Sequence, residues 1–347
     1  SVFTTAGTNF TVSVTAKAYS AADDANSDGL PDNHADTNAA NNANLADNTT
    51  LTKFGAETPA ETITLAAALR LPSGGVDPGL SDGDATASDG RVISSFSSGV
   101  GSTTQVYFGE VGIIEIAASI TDGDYLGAGT TPTTNMVSRS GYVGRFKPYQ
   151  FAASSVSMTS FCSASTAFNY LGKDFTANLT LAAQNQQAST TQNYTSTFVK
   201  LTSAGYSLKA RDTTSATQLT SRMQLSSLSG TWSSGQVAAS VSMNMARSSA
   251  PDGPYTTTKV GVTISDTDSV SLRSADITFD SDANGSNDAL LFGQSAFYFG
   301  RLRLDDAFGP ETANLNVNFQ TDYWTGSIWS RNTADSCTTI ATSAITY

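Results

Sequence analysis

Apolar and polar residues alternate over short stretches along most of this chain, and that period of two limits the fold more than any other feature. In FTVSVTAKAY, beginning at Phe10, the residues Phe10, Val12, Val14 and Ala16 fall on one side, the pattern of a strand with one buried face. TITLAAALRL from Thr62, VGIIEIAASI from Val111, FTANLTLAAQ from Phe175 and QVAASVSMNM from Gln236 read the same way. So do TKVGVTIS from Thr258, FYFGRLRL from Phe297 and NLNVNFQTDYW from Asn314. Turn-forming clusters such as LPSGGVDPG, SDGDATASDG and SSAPDGPY stand between them. Short strands punctuated in this way build sandwiches and barrels. The predicted fold class is all-β: tandem Ig-like antiparallel β-sandwich domains with long inserted loops.

The 347 residues suffice for two domains, each with its own core. Lys and Arg number 18 against 30 Asp and Glu, and the net charge of −12 argues against nucleic acid or anionic membrane surfaces as partners. No apolar run approaches the roughly 18 residues needed to span a bilayer. The sequence opens on Ser1 rather than methionine, which reads as an exported chain whose leader has been removed, or as a piece of a longer protein.

Internal echoes support a duplicated architecture. NFTVSVTAKA at Asn9 resembles DFTANLTLAA at Asp174, NTTLTKF at Asn48 resembles NYTSTFVK at Asn193, and YFGEVGIIEI at Tyr107 resembles YFGRLRLDDA at Tyr298. The echoes recur in the same order, as repeats of one unit would. The first two are further apart in the N-terminal copy, and DANSDGLPD lies in the excess, so this acidic stretch reads as an insertion between strands. SGYVGRFKPYQF carries the expected division near Pro148. An N-terminal sandwich is therefore expected over 1–147 and a C-terminal sandwich over 148–347.

The two cysteines, Cys162 and Cys337, form no CxxC or Cys/His cluster, which removes sulfur-based metal sites. Either they pair as one disulfide, which needs an oxidising compartment, or they are two buried thiols. Pairing is the expectation.

DANSDGLPD spaces its oxygen-bearing side chains as calcium loops do, with ligands at positions 1, 3, 5, 7 and 9 and glycine at 6. Asp24, Asn26 and Asp28 fill positions 1, 3 and 5, Leu30 offers its carbonyl, and Asp32 is ninth. Position 12 is Ala35, so Asp36 is the candidate closing acid, a displacement that resembles dockerin-like and thrombospondin-type calcium loops. The spacing recurs at Asp280, Asp282, Asn284, Ser286 and Asp288. The competing reading of both stretches is an Asx/Gly turn, because Asn and Asp hydrogen-bond their own backbone. Calcium is the expected cofactor.

Catalytic devices are poorly represented. The only histidine, His34, lies in the Asn-rich insertion, and no HExxH, GxSxG or Walker pattern occurs. Asp305 with Asp306, and Asp122 with Asp124, are adjacent acids of the kind usually found on solvated turns. Lys17, Lys173 and Lys200 lie in or near strands, but nothing marks partners for an isopeptide bond. Tyr323, Trp324 and Trp329 form an aromatic group that either stacks on sugar rings or fills a sandwich core, and Trp232, flanked by turn residues, is the ring expected to be exposed. The chain reads as non-enzymatic.

VGRFKPYQF, followed by FNYLGKDFTANLTLAAQN, NYTSTFVKL and YFGRLRLDDAFGPETANLNVNFQTDYWTGSIWSRNTADSCTTI, resembles the uncharacterised C-terminal domain family of MshQ-like proteins, which are encoded with mannose-sensitive haemagglutinin (MSHA) and related type IV pilus systems of Gram-negative bacteria. The likeness covers most of the chain and is most specific from Tyr298 to Thr338. It implies an extracellular, cell-surface or pilus-associated protein with pilus or surface components, and glycans, as partners. It supplies no catalytic residues. The expected function is a calcium-stabilised adhesin or stalk module. The rivals are a filament or sheath subunit that self-associates through sheet edges and a carbohydrate-active enzyme.

Overall fold

The computed structural model describes the chain except for residues 26, 28–30, 33–42, 84–88, 128–137, 164–165, 313–314, 316 and 342–347. Its regular structure is strands joined by short 3-10 turns, so the all-β expectation holds. The chain divides into two compact units, one made of Ser1–Gln150 with Ala182–Val199 and Trp232–Gln236, the other of Phe151–Leu181, Lys200–Thr231 and Val237–Tyr347.

Ten strands precede Gln150: β1 (Thr4–Thr5), β2 (Phe10–Thr15), β3 (Ile63–Leu71), β4 (Leu80–Asp82), β5 (Val92–Ile93), β6 (Phe96–Ser97), β7 (Val100–Phe108), β8 (Gly112–Ile120), β9 (Ser138–Arg139) and β10 (Val143–Lys147). One sheet has the order β1-β10-β8-β3-β5 with β9 beside β8, and the other has the order β2-β7-β4 with β6 beside β7. In immunoglobulin terms these are the G-F-C and B-E-D layers. Alternation places Phe10, Val106, Phe108, Ile114 and Phe146 in one buried cluster with Leu65 and Ile93. Phe3 closes it from the side, its ring edge-on to Phe10 and Phe146 at 5.5 and 5.4 Å. The β2–β3 connection runs from residue 16 to 62 and contains DANSDGLPD, so the acidic stretch is an insertion between strands.

The remaining strands are β11 (Gln150–Thr159), β12 (Phe168–Tyr170), β13 (Phe175–Gln184), β14 (Tyr206–Asp212), β15 (Met223–Ser229), β16 (Gln236–Met245), β17 (Tyr255–Ile264), β18 (Leu290–Tyr298), β19 (Gly300–Leu304), β20 (Phe319–Trp324) and β21 (Trp329–Arg331). Sheets β11-β13-β16-β15 and β12-β18-β17-β14 repeat the A-B-E-D and G-F-C layers. Phe175 of one sheet meets Phe297 of the other edge-on at 5.2 Å. Each sandwich also has one parallel pair, where a short strand enters beside the last: β1 along β10, with Thr4 opposite Phe146, and β12 along β18, with Phe168 opposite Ala296. Apart from these edges and an isolated parallel bridge of Phe151 with Leu272, the registered strand pairs are antiparallel.

Two of the three echoes occupy equivalent places. Phe10 and Phe175 each open a B strand, and the segments at Asn48 and Asn193 each lie between a B and a C strand. The third does not, which corrects the sequence reading: Tyr107 is near the end of β7, an E strand, whereas Tyr298 ends β18, a G strand. The likeness is local, a Tyr-Phe-Gly strand end with a glycine where the chain changes course. At Gly300 a Cβ would lie 2.4 Å from the Tyr170 ring. Beyond β18 the chain forms a separate three-stranded sheet, β19-β20-β21.

Candidate functional site

The C-terminal sheet brings the predicted aromatic residues together with paired charges. Leu302 and Leu304 of β19 lie opposite Thr321 and Phe319 of β20, while Arg301 and Arg303 lie opposite Asp322 and Gln320. Alternation thus makes one face of this sheet apolar and the other cationic. Leu302, Leu304 and Phe319 are all exposed. On the other face Asp322 is buried and paired with Arg301 at 3.1 Å and Arg303 at 3.7 Å.

The predicted aromatic group lies here, and its rings are half-buried. Tyr323 packs on Tyr298 at 4.7 Å, and Trp324 meets Trp329 at 5.7 Å. The Arg301 guanidinium stands 4.2 Å from the Trp329 ring centre, and Arg247 stands 4.0 Å from that of Phe299, which itself contacts Trp329. Cations already cover ring faces on which a sugar would stack. Trp232 is half-buried and edge-on to buried Tyr194 at 4.9 Å.

Cys162 and Cys337 are joined as a disulfide, with Cα atoms 5.6 Å apart. Residue 162 sits in a backbone bridge with Phe168, and the link ties the start of this sandwich to the segment after β21. Beside it, the Tyr170 hydroxyl donates to Asp335 Oδ2 at 2.9 Å and accepts from Asn332 Nδ2 at 2.7 Å. Burial pushes the Tyr170 phenol up to about 12. Burial also opposes ionisation of Asp335, but hydrogen bonds from Thr338 and from the Cys337 backbone outweigh it and hold that carboxyl below its usual range.

The second calcium-like loop is fully described. Asp280 accepts from the backbone N–H groups of Ala283, Asn284 and Gly285, and Asp282 accepts from Asn284. Asn284 Oδ1 accepts from the Ser286 N–H, and Asp288 turns back to accept from Ser281 N and Oγ at 2.7 Å each. These oxygens accept from the loop's own backbone. Gly285, at φ +91°, takes a turn that a side chain would strain. The loop closes as an Asx turn.

In the first loop, Asp24 is buried and accepts from the Tyr19 hydroxyl at 2.7 Å, and Asp32 Oδ2 accepts from the Ala25 N–H at 2.9 Å. Asn26, Asp28, Leu30 and Asp36 lie outside the described residues, as does His34. Among the described residues, no group of three or more His, Cys, Asp or Glu is placed to hold a metal ion.

Candidate acids elsewhere are committed to structure. Asp305 pairs with Arg303 at 3.5 Å, and Asp122 accepts from the Asp124 N–H. Lys17 donates to the Ala46 and Asn48 carbonyls. Glu115, in the middle of β8, is fully buried between Arg70 at 3.0 Å and Arg139 at 3.5 Å. Glu110, in the β7–β8 turn, accepts from the backbone N–H groups of Gln192 at 2.6 Å and Asn193 at 2.7 Å. Burial raises its carboxyl to about 7, against the effect of those bonds. Neither Glu110 nor Tyr170 carries a signal in the sequence, because each partner lies more than 80 residues away.

Three family models account for nearly the whole chain: DUF6701 second domain over residues 1–105, third domain over 110–291 and fourth domain over 298–347. The chain belongs to the DUF6701 family. The fourth-domain region of this DUF6701 chain contains the β19-β20-β21 sheet and Cys337; the second region ends within β7 and the third begins in the β7–β8 turn. The expected likeness to MshQ-like proteins is thus met at the level of a multidomain family, which carries no ligand or activity with it. No curated protein and no solved structure matches the chain. Among the described residues, no helix is long and apolar enough to cross a membrane.

Proposed function

We propose that this DUF6701 chain is a non-enzymatic module displayed outside the cell, serving as the stalk or adhesive part of a pilus-associated assembly. The observation that carries the reading is the Cys162–Cys337 disulfide, which ties the C-terminal segment to the sandwich over a separation of 175 residues. Such a bond persists in oxidising, exported settings. Repeated Ig-like layers suit a spacer, and the charge of −12 favours solubility. The buried acids Glu115 and Asp322 support the same reading, since each is engaged by protein donors.

In this reading calcium, held by the Asp24–Asp36 loop, stiffens the β2–β3 connection by joining carboxylates that would otherwise repel. The MSHA-type pilus association rests on the sequence resemblance. It is tested by proteolysis of intact producing cells, followed by shearing and collection of the pilus fraction. The proposal expects the chain to be cleaved on intact cells and recovered with sheared pili. Protection until lysis would overturn it.

The exposed face of Leu302, Leu304 and Phe319 favours a second reading, a subunit that self-associates at the open edge of β19. Sedimentation velocity over a range of concentrations separates the two. Growth into long assemblies supports the subunit, and a constant monomer supports the stalk.

A further inference from the structure

The outward face of the β2-β7-β4 sheet carries a polar depression of about 570 Å³ that none of the features above uses. We propose that it is a binding site for a neutral saccharide. The inference does not depend on the stalk reading and can fail without it.

Strand geometry builds the site. Phe10 and Val106 are register partners and point into the core, so the neighbouring Asn9 and Tyr107 face outward. Ser81 of β4 lies opposite Tyr107, and Asp82, opposite Val106, is the exposed last residue of β4 and lines the depression from the end of the sheet. Gln186 and Gln187 complete the wall from a turn counted with the same compact unit. That turn is held in place: Gln186 N donates to Ala6 O at 3.0 Å, and Asn185 Nδ2 donates to Gly109 O at 2.9 Å.

Two glycines let the polar side chains lie against backbone. A Cβ at Gly7, where φ is +82°, would stand 2.1 Å from Gln187 Oε1, and one at Gly83 would stand 2.3 Å from Asn9 Oδ1. Gln187 Nε2 donates to the Gly7 carbonyl at 2.9 Å, and Asn9 Nδ2 reaches Gln105 Oε1 at 3.3 Å. The amides are thereby oriented before any ligand arrives, which lowers the ordering cost of binding.

The wall chemistry selects the ligand class. The volume falls in the small-molecule range. Among the described residues the lining has no aliphatic side chain and no cation, so these residues offer no partner to a lipid tail, a phosphate or a carboxylate. It offers planar amides, which donate to and accept from adjacent hydroxyls, and the Asp82 carboxylate, which accepts and already takes the Gly90 N–H on Oδ1 at 2.9 Å, beside one amphipathic ring for the C–H face of a sugar. Asp82 disfavours an acidic sugar at the same place.

The test is saturation-transfer NMR on the full chain with neutral gluco-, galacto- and manno-configured trisaccharides and a glucuronate-terminated trisaccharide as probes. At least one neutral probe is expected to receive transfer, with the glucuronate probe weaker. Tyr107→Ala is expected to weaken the apparent affinity about tenfold, equivalent to 1.4 kcal/mol. Gln186→Ala, at an exposed position, serves as the second variant should Tyr107→Ala fail to fold, and it too should weaken binding. No transfer from any neutral probe, transfer unchanged in a folded variant, or equal binding of the glucuronate probe would each overturn the proposal.

Discussion

Tyr170 Oη lies 2.9 Å from Asp335 Oδ2, so a residue of β12 is hydrogen-bonded to the chain beyond β21, two residues before Cys337. This contact and the disulfide act on the same segment. Tyr170→Phe leaves Asp335 with fewer donors and Asn332 without its acceptor, and the expected loss is about 1–3 kcal/mol in urea unfolding. Because the folded phenol is raised to about 12 from an ordinary 10, its share of stability is complete below pH 10 and is lost as pH rises towards 12. The Phe variant should lose that part of the alkaline slope, Tyr206, which burial also raises to about 12, keeping its own, and an unchanged slope would contradict the assignment.

Glu110 makes the opposite end of the pH range informative. Its folded carboxyl titrates near 7, above the ordinary 4.5, so the unfolded chain releases this proton first. The contribution of this group to stability is complete below pH 4.5 and disappears as pH climbs through 7. Glu110→Gln should flatten the difference in melting midpoint between pH 5 and pH 7. It should also cost about 1–3 kcal/mol at all pH values, because one of the two backbone N–H groups loses its acceptor.

The two acidic loops should respond differently to calcium. Asp280→Ala removes acceptors from three N–H groups and should lower the melting midpoint equally in calcium and in chelator. Asp24→Asn combined with Asp28→Asn should abolish a calcium-dependent rise, which for saturation at a hundredfold over Kd is worth about 2.7 kcal/mol. A rise that survives in the double variant but is lost in Asp280→Ala would reverse the assignment.

Phe146 tests the first core. Its ring contacts Phe3, Phe10 and Phe108 at 5.3–5.6 Å and is fully buried. Phe146→Ala should cost about 3–5 kcal/mol, read as a shift of the urea midpoint at constant m-value.

Strands were legible in the sequence where apolar side chains marked the buried face, as in β2, β13 and β16. They were obscure where a polar group faces inward. β14 alternates perfectly in burial, yet its inward residue at the end is Asp212, satisfied by Ser215, Thr257 and Thr258. Apolar patterning cannot register that residue as core. β7 and β15 escaped for a different reason: their Ser and Thr leave few apolar residues to mark a buried face. The candidate sites were legible as composition but not as geometry. The spacing at Asp280 fits a calcium loop and an Asx turn alike, and only the direction of each carboxylate distinguishes them. Trp329 was visible as an aromatic, but its cover by Arg301 depends on strand register, which follows from the fold.

The most direct measurement is the redox state of Cys162 and Cys337 in the producing cell. Intact producing cells are quenched in acid, denatured and treated with a maleimide mass tag, with and without prior reduction. The account predicts no added tag without reduction and two after it, and loss of about 5 kcal/mol of stability, by the chain-entropy model, when the bond is reduced. Two tags on the unreduced chain would contradict an exported, disulfide-locked scaffold.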